Sequence, residues 1–356
     1  MSEILGIGLS HYPGLLVPPA HWTRMLKRSV EIGRVPAELY GDRSKWPKPM
    51  LEEWGSDEGA SAAQAHKQRL LAGFRDLRRA LDAFKPDLVV IWGDDQYENF
   101  RNDCVPAFCV YIFDEMECHP YGGGRRPFQS DESALGLPPD TPMRVRGNRE
   151  AATGLARTLL GQEFDIAYAT ETRAEAGLAH SFNNTLVYLD YERRGFDYPV
   201  LPFHVNCYGN QLLRGARADA TARKNSLEIS PPSPSPRRCF DIGRATARYF
   251  AASPWRVALI ASSSWSHATL TSKHGRLYPD VPADRKLHAE LVNGGFKRWG
   301  ELPLAQIEDA GQHEVLNWVC LAGAMTELGQ RAATTEFVES HLFNSSKCFA
   351  LFEAAA

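Results

Sequence analysis

The sequence lacks several features that mark whole classes of protein. It has no run of about 18 consecutive apolar residues, the length that crosses a bilayer. Its first residues, Met1–Gly8, lack the basic start and long apolar core of a secretion signal, so we expect a cytoplasmic protein. It also has no excess of basic residues, since 40 Lys and Arg stand against 43 Asp and Glu, a formal net charge of −3. A dedicated nucleic-acid binder usually carries a basic excess, so neither nucleic acid nor membrane is an expected partner.

Cysteine and glycine motifs exclude further classes. The seven cysteines are odd in number and include no C-x-x-C pair, which argues against a disulfide framework and against a cysteine zinc site. The serines lack the G-x-S-x-G elbow of α/β hydrolases. The triple glycine Gly122-Gly123-Gly124 lacks the following Lys and Ser/Thr of a phosphate-binding loop.

What the sequence contains is an alternation of short apolar runs and amphipathic stretches. The apolar runs are mostly continuous, as in strands buried on both faces, and are Ile4–Leu9, Leu88–Trp92, Phe108–Phe113, Phe164–Ala169, Val200–Val205, Val257–Ala261 and Cys348–Phe352. Helical spacing is found in Ala60–Phe84, Arg149–Leu160, Phe240–Phe250 and Gln312–Leu328. The pattern predicts an α/β fold: a single three-layer domain over residues 1–356, with a mixed or parallel central sheet flanked by helices.

Two stretches are interpreted as insertions into that domain. Residues 21–59 are rich in Trp, Pro and charge, and we interpret them as a lid or an interface. Residues 209–236 are polar and then rich in Pro and Ser, which is typical of a surface loop.

Polar residues follow several predicted strands, where α/β proteins form their binding crevices. His11 follows the first strand, and the adjacent Asp94 and Asp95 follow the second. Paired carboxylates at the end of a buried strand are unfavourable unless they are solvated, hydrogen-bonded or neutralised by a cation. The two carboxylates are explained either as ligands of a divalent metal or as caps of the next helix.

Other candidates converge on the same edge. His180 lies in a loop among small residues and has a side chain that titrates near neutrality, which suits acid/base catalysis. His204 and Trp265 also fit places in the core, and Arg125 also fits an exposed turn. The candidates for substrate contact or for support around the site are Asp94, Gln96, Tyr97, His119, Arg125, His204, Asn206, Trp265, His267 and His313. Together they predict an enzyme acting on a small molecule.

The order and the residues of these segments resemble those of the class III extradiol ring-cleavage dioxygenases, above all the catalytic β subunits of protocatechuate 4,5-dioxygenases. The resemblance runs over nearly the whole chain through Gly6–Leu15, Pro86–Val90 with its following Asp, Gly177–His180, Pro202–Asn206, Arg238–Phe240 and Trp265–His267. It implies cleavage of a catechol-like aromatic ring by O₂ at a non-haem Fe(II), with Mn(II) as an alternative metal. It also implies a homodimer.

Carried over residue by residue, the resemblance makes His11 the first metal ligand and His180 the acid/base residue. The family's glutamate ligand falls within residues 277–284, where this chain has no Glu, and Asp280 is its candidate substitute. The family's second histidine follows an Asp at the end of the second strand, and we align that histidine with Asp95. Asp94 is then expected to orient a ligand or a water.

The missing second histidine leaves three hypotheses. Asp95 coordinates directly, or another histidine takes its place, or the fold has lost its metal. The histidines available for the second hypothesis are His119, His267, His274 and His313. Two other functions stay open for the same reason: a metal-dependent hydrolase or lyase on this fold, and a metal-free binding protein.

Overall fold

An eight-stranded sheet forms the centre of the protein. The computed structural model describes residues 2–101, 103–123, 128–209 and 231–354. The strands are β1 (Ile4–Leu9), β2 (Leu88–Gly93), β3 (Phe108–Tyr111), β4 (Glu115–Cys118), β5 (Met143–Arg146), β6 (Ala167–Ala169), β7 (Val200–Val205), β8 (Val257–Ser262), β9 (Gln330–Val338) and β10 (Lys347–Ala354). The order in the central sheet is β6-β3-β7-β2-β8-β1-β10-β9, and β4 and β5 form a separate two-stranded antiparallel sheet.

The middle of the sheet is parallel. Strands β7, β2, β8 and β1 pair in parallel, with Leu9 opposite Ser262 and Trp92 opposite Ala261. Strand β3 joins antiparallel to β7, and β10 joins antiparallel to β1. The carboxyl ends of β1, β2 and β8 therefore lie side by side at one edge, which is where α/β sheets place their sites.

Helices cover both faces of the sheet. They are α1 (Arg24–Glu31), α2 (Ala37–Gly41), α3 (Lys48–Trp54), α4 (Ala60–Phe84), α5 (Pro120–Gly123), α6 (Arg149–Gly161), α7 (His180–Leu189), α8 (Pro236–Ala251), α9 (Val281–Val292), α10 (Leu304–Asp309) and α11 (Val315–Glu327). One core lies between the sheet and α6, α8, α9 and α11. The other lies between the sheet and α4, α7 and the segment 21–59. The predicted three-layer α/β domain is confirmed.

The predicted elements differ from the observed ones where burial is incomplete. Helix α4 has the predicted bounds, whereas β6 pairs only over Ala167–Ala169 of the predicted Phe164–Ala169. Strand β9 has no predicted counterpart, because Ala, Thr and charged residues fill most of Gln330–Val338 and much of it is exposed.

The segment 21–59 packs onto the rest of the domain. Its Trp22 ring contacts Phe343, and its Glu53 carboxylate accepts hydrogen bonds from the backbone of His341 and Leu342. Of the predicted loop 209–236, residues 210–230 lie outside the described residues, and Pro236 already begins α8.

Two further properties follow from the described residues. None of their helices combines the length and the apolar character that crossing a bilayer requires. All seven cysteines are free thiols, six of them buried and only Cys104 exposed.

Candidate active site

His11 is held at the edge where the parallel strands end. It lies two residues beyond β1, and its Nδ1 is 3.0 Å from the carbonyl oxygen and 3.1 Å from the hydroxyl of Ser262, at the end of the neighbouring β8. The Asn184 side chain donates to the His11 carbonyl at 3.1 Å. These contacts engage Nδ1, so Nε2 is the ring nitrogen presented to the cluster described next.

Two buried carboxylates face that nitrogen. The Nε2 of His11 is 3.9 Å from Oδ1 of Asp94 and 3.6 Å from Oε2 of Glu314. The side chains of His11, Asp94 and Glu314 are 3%, 0% and 1% exposed. Neither of those two carboxylate oxygens has a hydrogen-bond partner within the described residues. Buried polar atoms are normally satisfied, so two such oxygens beside one imidazole indicate a binding place for a cation.

Glu314 reaches the cluster because the end of β8 fixes the start of α11. The Ser263 hydroxyl donates to the Glu314 carbonyl at 2.8 Å, and the Trp318 indole donates to the Ser263 carbonyl at 3.0 Å. The other carboxylate oxygen of Glu314 accepts hydrogen bonds from the amide of Gln96, at 3.1 Å, and from the hydroxyl of Tyr208. The sequence alone indicates that Glu314 suits a first helical turn or belongs to a segment that contacts the substrate, so its place in this cluster is missed there.

Burial makes the cluster unfavourable for charge unless a cation enters it. Burial, with the Glu314 charge adding to it, raises the pKa of Asp94 well above its usual range. Burial also raises the pKa of Glu314 to about 7, although its hydrogen bond with Tyr208 opposes this. The pKa of His11 is held well below its usual value by burial and by the neighbouring His180. A neutral imidazole beside two carboxylates is a ligand set for a divalent metal.

His180 begins α7 next to this cluster. Its ring meets the His11 ring edge-on at 5.0 Å between centroids, and its Nδ1 lies 3.0 Å from both carboxylate oxygens of Glu98. Burial alone lowers the pKa of His180, but the charge and hydrogen bond of Glu98, with Asp94 and Glu314, outweigh it and raise the pKa to about 9.

Among the described residues, a single group of three His, Cys, Asp or Glu side chains has ligand atoms close enough to share a metal. His11, Asp94 and His180 have these atoms within 4.8 Å of one another. Glu314 lies beside this group through its contact with His11. Four side chains, those of His11, Asp94, His180 and Glu314, therefore lie around one point. A set of three metal ligands consists of His11 and Asp94 with either His180 or Glu314.

Asp95 does not point into the cluster, so its predicted role as a direct ligand does not fit this arrangement. Its Oδ1 accepts hydrogen bonds from the backbone of Glu98 and Phe100, at 2.9 and 3.4 Å, and its Oδ2 accepts one from Asn99 at 2.9 Å. The carboxylate thus closes a turn, and Asp94 is the one that faces His11. The residue that follows Asp95 is Gln96, whose side-chain amide is directed toward Asp94 and Glu314.

Asp280 is also engaged elsewhere, which removes the predicted substitute for the family's glutamate. Its carboxylate caps α9 by accepting from the Ala283 backbone at 3.2 Å, and it pairs with Lys273 at 2.6 Å. Glu314, which comes from another part of the chain, is the second buried carboxylate beside His11.

Three other predicted residues lie around the cluster. His267 Nε2 is 3.6 Å from Glu314 Oε1, and its Nδ1 is engaged by the Trp265 carbonyl at 2.9 Å. Burial lowers the pKa of His267 to about 4. His313 stacks on Tyr208 at 5.7 Å between ring centroids, and Gln96 bridges toward Asp94 and Glu314.

The remaining predicted residues are not brought into this group. Trp265 is buried against Trp299, Trp318 and Phe337, and His204 is buried within β7 against Phe100, so both occupy the core. The others lie in turns or at the ends of strands. Tyr97 has a left-handed backbone, Asn206 follows β7, His119 contacts the Asp140 carbonyl, His274 contacts the Tyr278 carbonyl, and Arg125 lies outside the described residues.

Comparison with known proteins is consistent with this geometry. No protein-family model matches the chain. Over 288 residues, it is 28% identical to a 2,3-dihydroxyphenylpropionate/2,3-dihydroxicinnamic acid 1,2-dioxygenase of Paraburkholderia phymatum, covering 74% of this chain and 83% of the relative. A protein of the same name from Burkholderia vietnamiensis is 26% identical, with the same coverage. One from Pseudomonas putida is 27% identical over 62% of this chain and 52% of the relative. These similarities confirm the resemblance that the motifs indicate: the chain is similar in sequence to extradiol ring-cleavage dioxygenases.

Proposed function

We propose that this protein is an extradiol-type dioxygenase that opens a catechol-like aromatic ring with O₂ at a metal bound by His11, Asp94 and Glu314. One observation carries the proposal: two buried carboxylate oxygens without hydrogen-bond partners face Nε2 of a histidine whose Nδ1 is engaged. The names of the relatives favour a 2,3-dihydroxyphenyl compound with an acidic side chain as the substrate class.

The ligand set fits a divalent first-row metal. A bound Fe(II), with Mn(II) as the alternative, supplies open positions for the two hydroxyls of a catechol and for O₂. Two carboxylates and one imidazole are harder ligands than the two histidines and one carboxylate of the resembling family. Gln96 and Tyr208 hold the remaining oxygen of Glu314, which fixes the direction in which Glu314 presents Oε2.

His180 performs the proton transfers in this proposal. Its Nδ1 is engaged by Glu98, so in the neutral imidazole Nε2 accepts the proton of a substrate hydroxyl and later returns a proton as the ring opens. Burial of the cluster excludes bulk water, which strengthens every charge interaction within it. His267, next to Glu314, is proposed to contact the substrate or to support that ligand. We also propose that residues 21–59 form a lid or a dimer interface.

Metal content tests the ligand set. We expect near-stoichiometric iron after anaerobic purification of the wild type. The variants His11→Ala, Asp94→Asn and Glu314→Gln should each lose most of this metal. Substituting a residue that only hydrogen-bonds to a metal ligand already reduces metal affinity by about 10- to 100-fold, and loss of a ligand itself should reduce it further. His180→Ala should keep the metal and lose ring cleavage, measured as O₂ uptake with 3-(2,3-dihydroxyphenyl)propionate.

Asp280→Asn is the matched control, since it changes a buried carboxylate of a helix cap rather than of the cluster. It should keep both metal and activity. Loss of metal in His180→Ala with retention in Glu314→Gln would replace Glu314 by His180 in the ligand set. A wild type that binds no metal, even when Fe(II) is supplied, would refute the proposed function.

The carboxylate-rich ligand set favours one second candidate. Because its two carboxylates and one histidine differ from the two histidines and one carboxylate of the resembling family, the same metal centre suits a hydrolase or lyase acting on a related small molecule. That candidate predicts bound metal, turnover without O₂ consumption and equal rates under air and under nitrogen.

A further inference from the structure

Glu98 makes a set of contacts that the proton-transfer role of His180 does not by itself require. Both of its carboxylate oxygens lie 3.0 Å from His180 Nδ1, and Oε1 also accepts from the His180 backbone at 3.0 Å. The Gln96 backbone donates to Oε2 at 3.3 Å. The two side chains are 20% and 18% exposed, so the pair is largely removed from water. A carboxylate held at the start of a helix is also favoured by the helix dipole.

The turn that carries Glu98 is fixed at several points. Asp95 accepts the backbone hydrogen bonds of Glu98 and Asn99. Tyr97, which directly precedes Glu98, has a left-handed φ of 68°. Such a conformation in a non-glycine residue is unfavourable and persists only where the surroundings impose it. With Tyr97 in this conformation, the chain reverses so that the Glu98 side chain reaches the start of α7.

A second set of bonds ties this turn to the segment before His180. The Asn99 side-chain oxygen accepts from the backbone of Arg173 and Ala174, and its amide donates to the Gly177 carbonyl at 3.1 Å. The positions of Glu98 and His180 are thereby set by one connected network. A surface ion pair has no such support.

We propose that Glu98 is a positioning residue that fixes His180 in one tautomer and one ring orientation for ring cleavage. Its carboxylate accepts the Nδ1–H of His180, which leaves the Nε2 lone pair facing His11 and Asp94. When a substrate hydroxyl gives up its proton, the proton goes to Nε2 and the Nδ1–H stays hydrogen-bonded to Glu98. The arrangement follows the logic by which an aspartate orients the histidine of a serine-protease triad. This inference rests on the proposed function only for its kinetic consequence.

The test compares Glu98→Ala, Glu98→Gln and a control, Glu117→Ala. Glu117 on β4 forms a similar pair with His119 at 3.2 Å, but its side chain is 70% exposed. With 3-(2,3-dihydroxyphenyl)propionate and O₂, Glu98→Ala should lower kcat by about 10²- to 10⁴-fold with little change in KM. Glu98→Gln keeps a hydrogen-bond acceptor, so its kcat should lie between those of Glu98→Ala and the wild type. The control should match the wild type.

A second readout does not depend on turnover. In the Zn(II)-loaded wild type, or in the protein as purified if it binds no metal, ¹⁵N NMR of the imidazole at a pH where His180 is neutral should show its proton on Nδ1 and none on Nε2. Glu98→Ala should lose this single tautomer. Thermal melting and metal content of each variant report whether the fold and the ligand set survive.

The outcomes separate the two proposals. A wild type without metal or ring cleavage refutes the proposed function, while the NMR tautomer still decides the role of Glu98. A neutral His180 that carries its proton on Nε2 in the wild type, or a Glu98→Ala kcat equal to that of Glu117→Ala, overturns the positioning role. Loss of metal in Glu98→Ala also overturns it, since His180 would then be a ligand.

Discussion

At the scale of single residues, two adjacent aspartates have opposite surroundings. Asp94 presents Oδ1 to the cluster without a hydrogen-bond partner, whereas Asp95 accepts three backbone hydrogen bonds. Successive residues after a strand point to opposite sides, which separates two carboxylates of the same chemistry. One is therefore suited to bind a cation and the other to hold the turn that carries Glu98.

The two aspartates should respond differently to substitution. Asp95→Ala should lower the free energy of unfolding by about 1–2 kcal/mol, because buried backbone amides lose their acceptor. Asp94→Asn should abolish metal binding without destabilising the metal-free protein, since it removes a buried and unsatisfied charge. Urea unfolding of metal-free samples measures both. Metal loss in Asp95→Ala at unchanged stability would contradict this assignment.

At the scale of elements, α8 and α11 approach each other through two glycines. A Cβ added to Gly243 would lie 1.9 Å from the Cys320 carbonyl oxygen, and one added to Gly323 would lie 2.0 Å from the Phe240 carbonyl oxygen. Each helix backbone thus contacts the other directly. Because α11 begins immediately after Glu314, this contact also sets where that carboxylate lies.

We expect Gly243→Ala to destabilise the protein by about 1–3 kcal/mol or more, because backbone atoms have to move apart. It should also weaken metal binding through Glu314. The matched control is Gly161→Ala, at the end of α6, where an added Cβ meets nothing within 4 Å. That change should be neutral or stabilising by about 0.4–1 kcal/mol. Equal effects of the two substitutions on the melting temperature would refute the close contact.

At the scale of the whole molecule, buried titratable groups predict how stability depends on pH. Burial raises the pKa of Asp284 to about 8 and that of Glu53 to about 7. These groups are ionised in the unfolded chain above pH of about 4, so folding takes up protons and stability falls as pH rises toward those values. Burial lowers the pKa of His66 well below its usual value, so its contribution is lost as pH falls below about 6.5.

In the metal-free protein, Asp284 and Glu53 should therefore reduce stability as pH rises from about 4 to about 8, whereas His66 should reduce it as pH falls below about 6.5. Added Mn(II) should stabilise it more at higher pH, because binding requires ionised carboxylates and a neutral imidazole. Urea unfolding across the pH range, with and without Mn(II), measures both effects. Asp284→Asn, which leaves the cluster intact, should reduce the loss above neutrality. A metal-free stability that keeps rising above pH 7 would contradict the prediction.

The sequence by itself determined the elements whose pattern is strong and local. Helix α4 and strands β1 and β7 have the predicted bounds, because long amphipathic periodicity and continuous apolar runs depend on nearby residues alone. The carboxyl ends of those strands located His11, and the family resemblance located His180. Both lie at the centre of the site.

Only the tertiary structure decided which carboxylates join them. Asp94 and Asp95 have the same chemistry one residue apart, and the sequence carries no sign of which one faces His11. Glu314 lies 303 positions from His11 along the chain, and it arrives through the contacts of α11 with β8. Glu98 meets His180 because a strained turn redirects the chain. Such pairings depend on packing between distant segments, which local patterns do not encode.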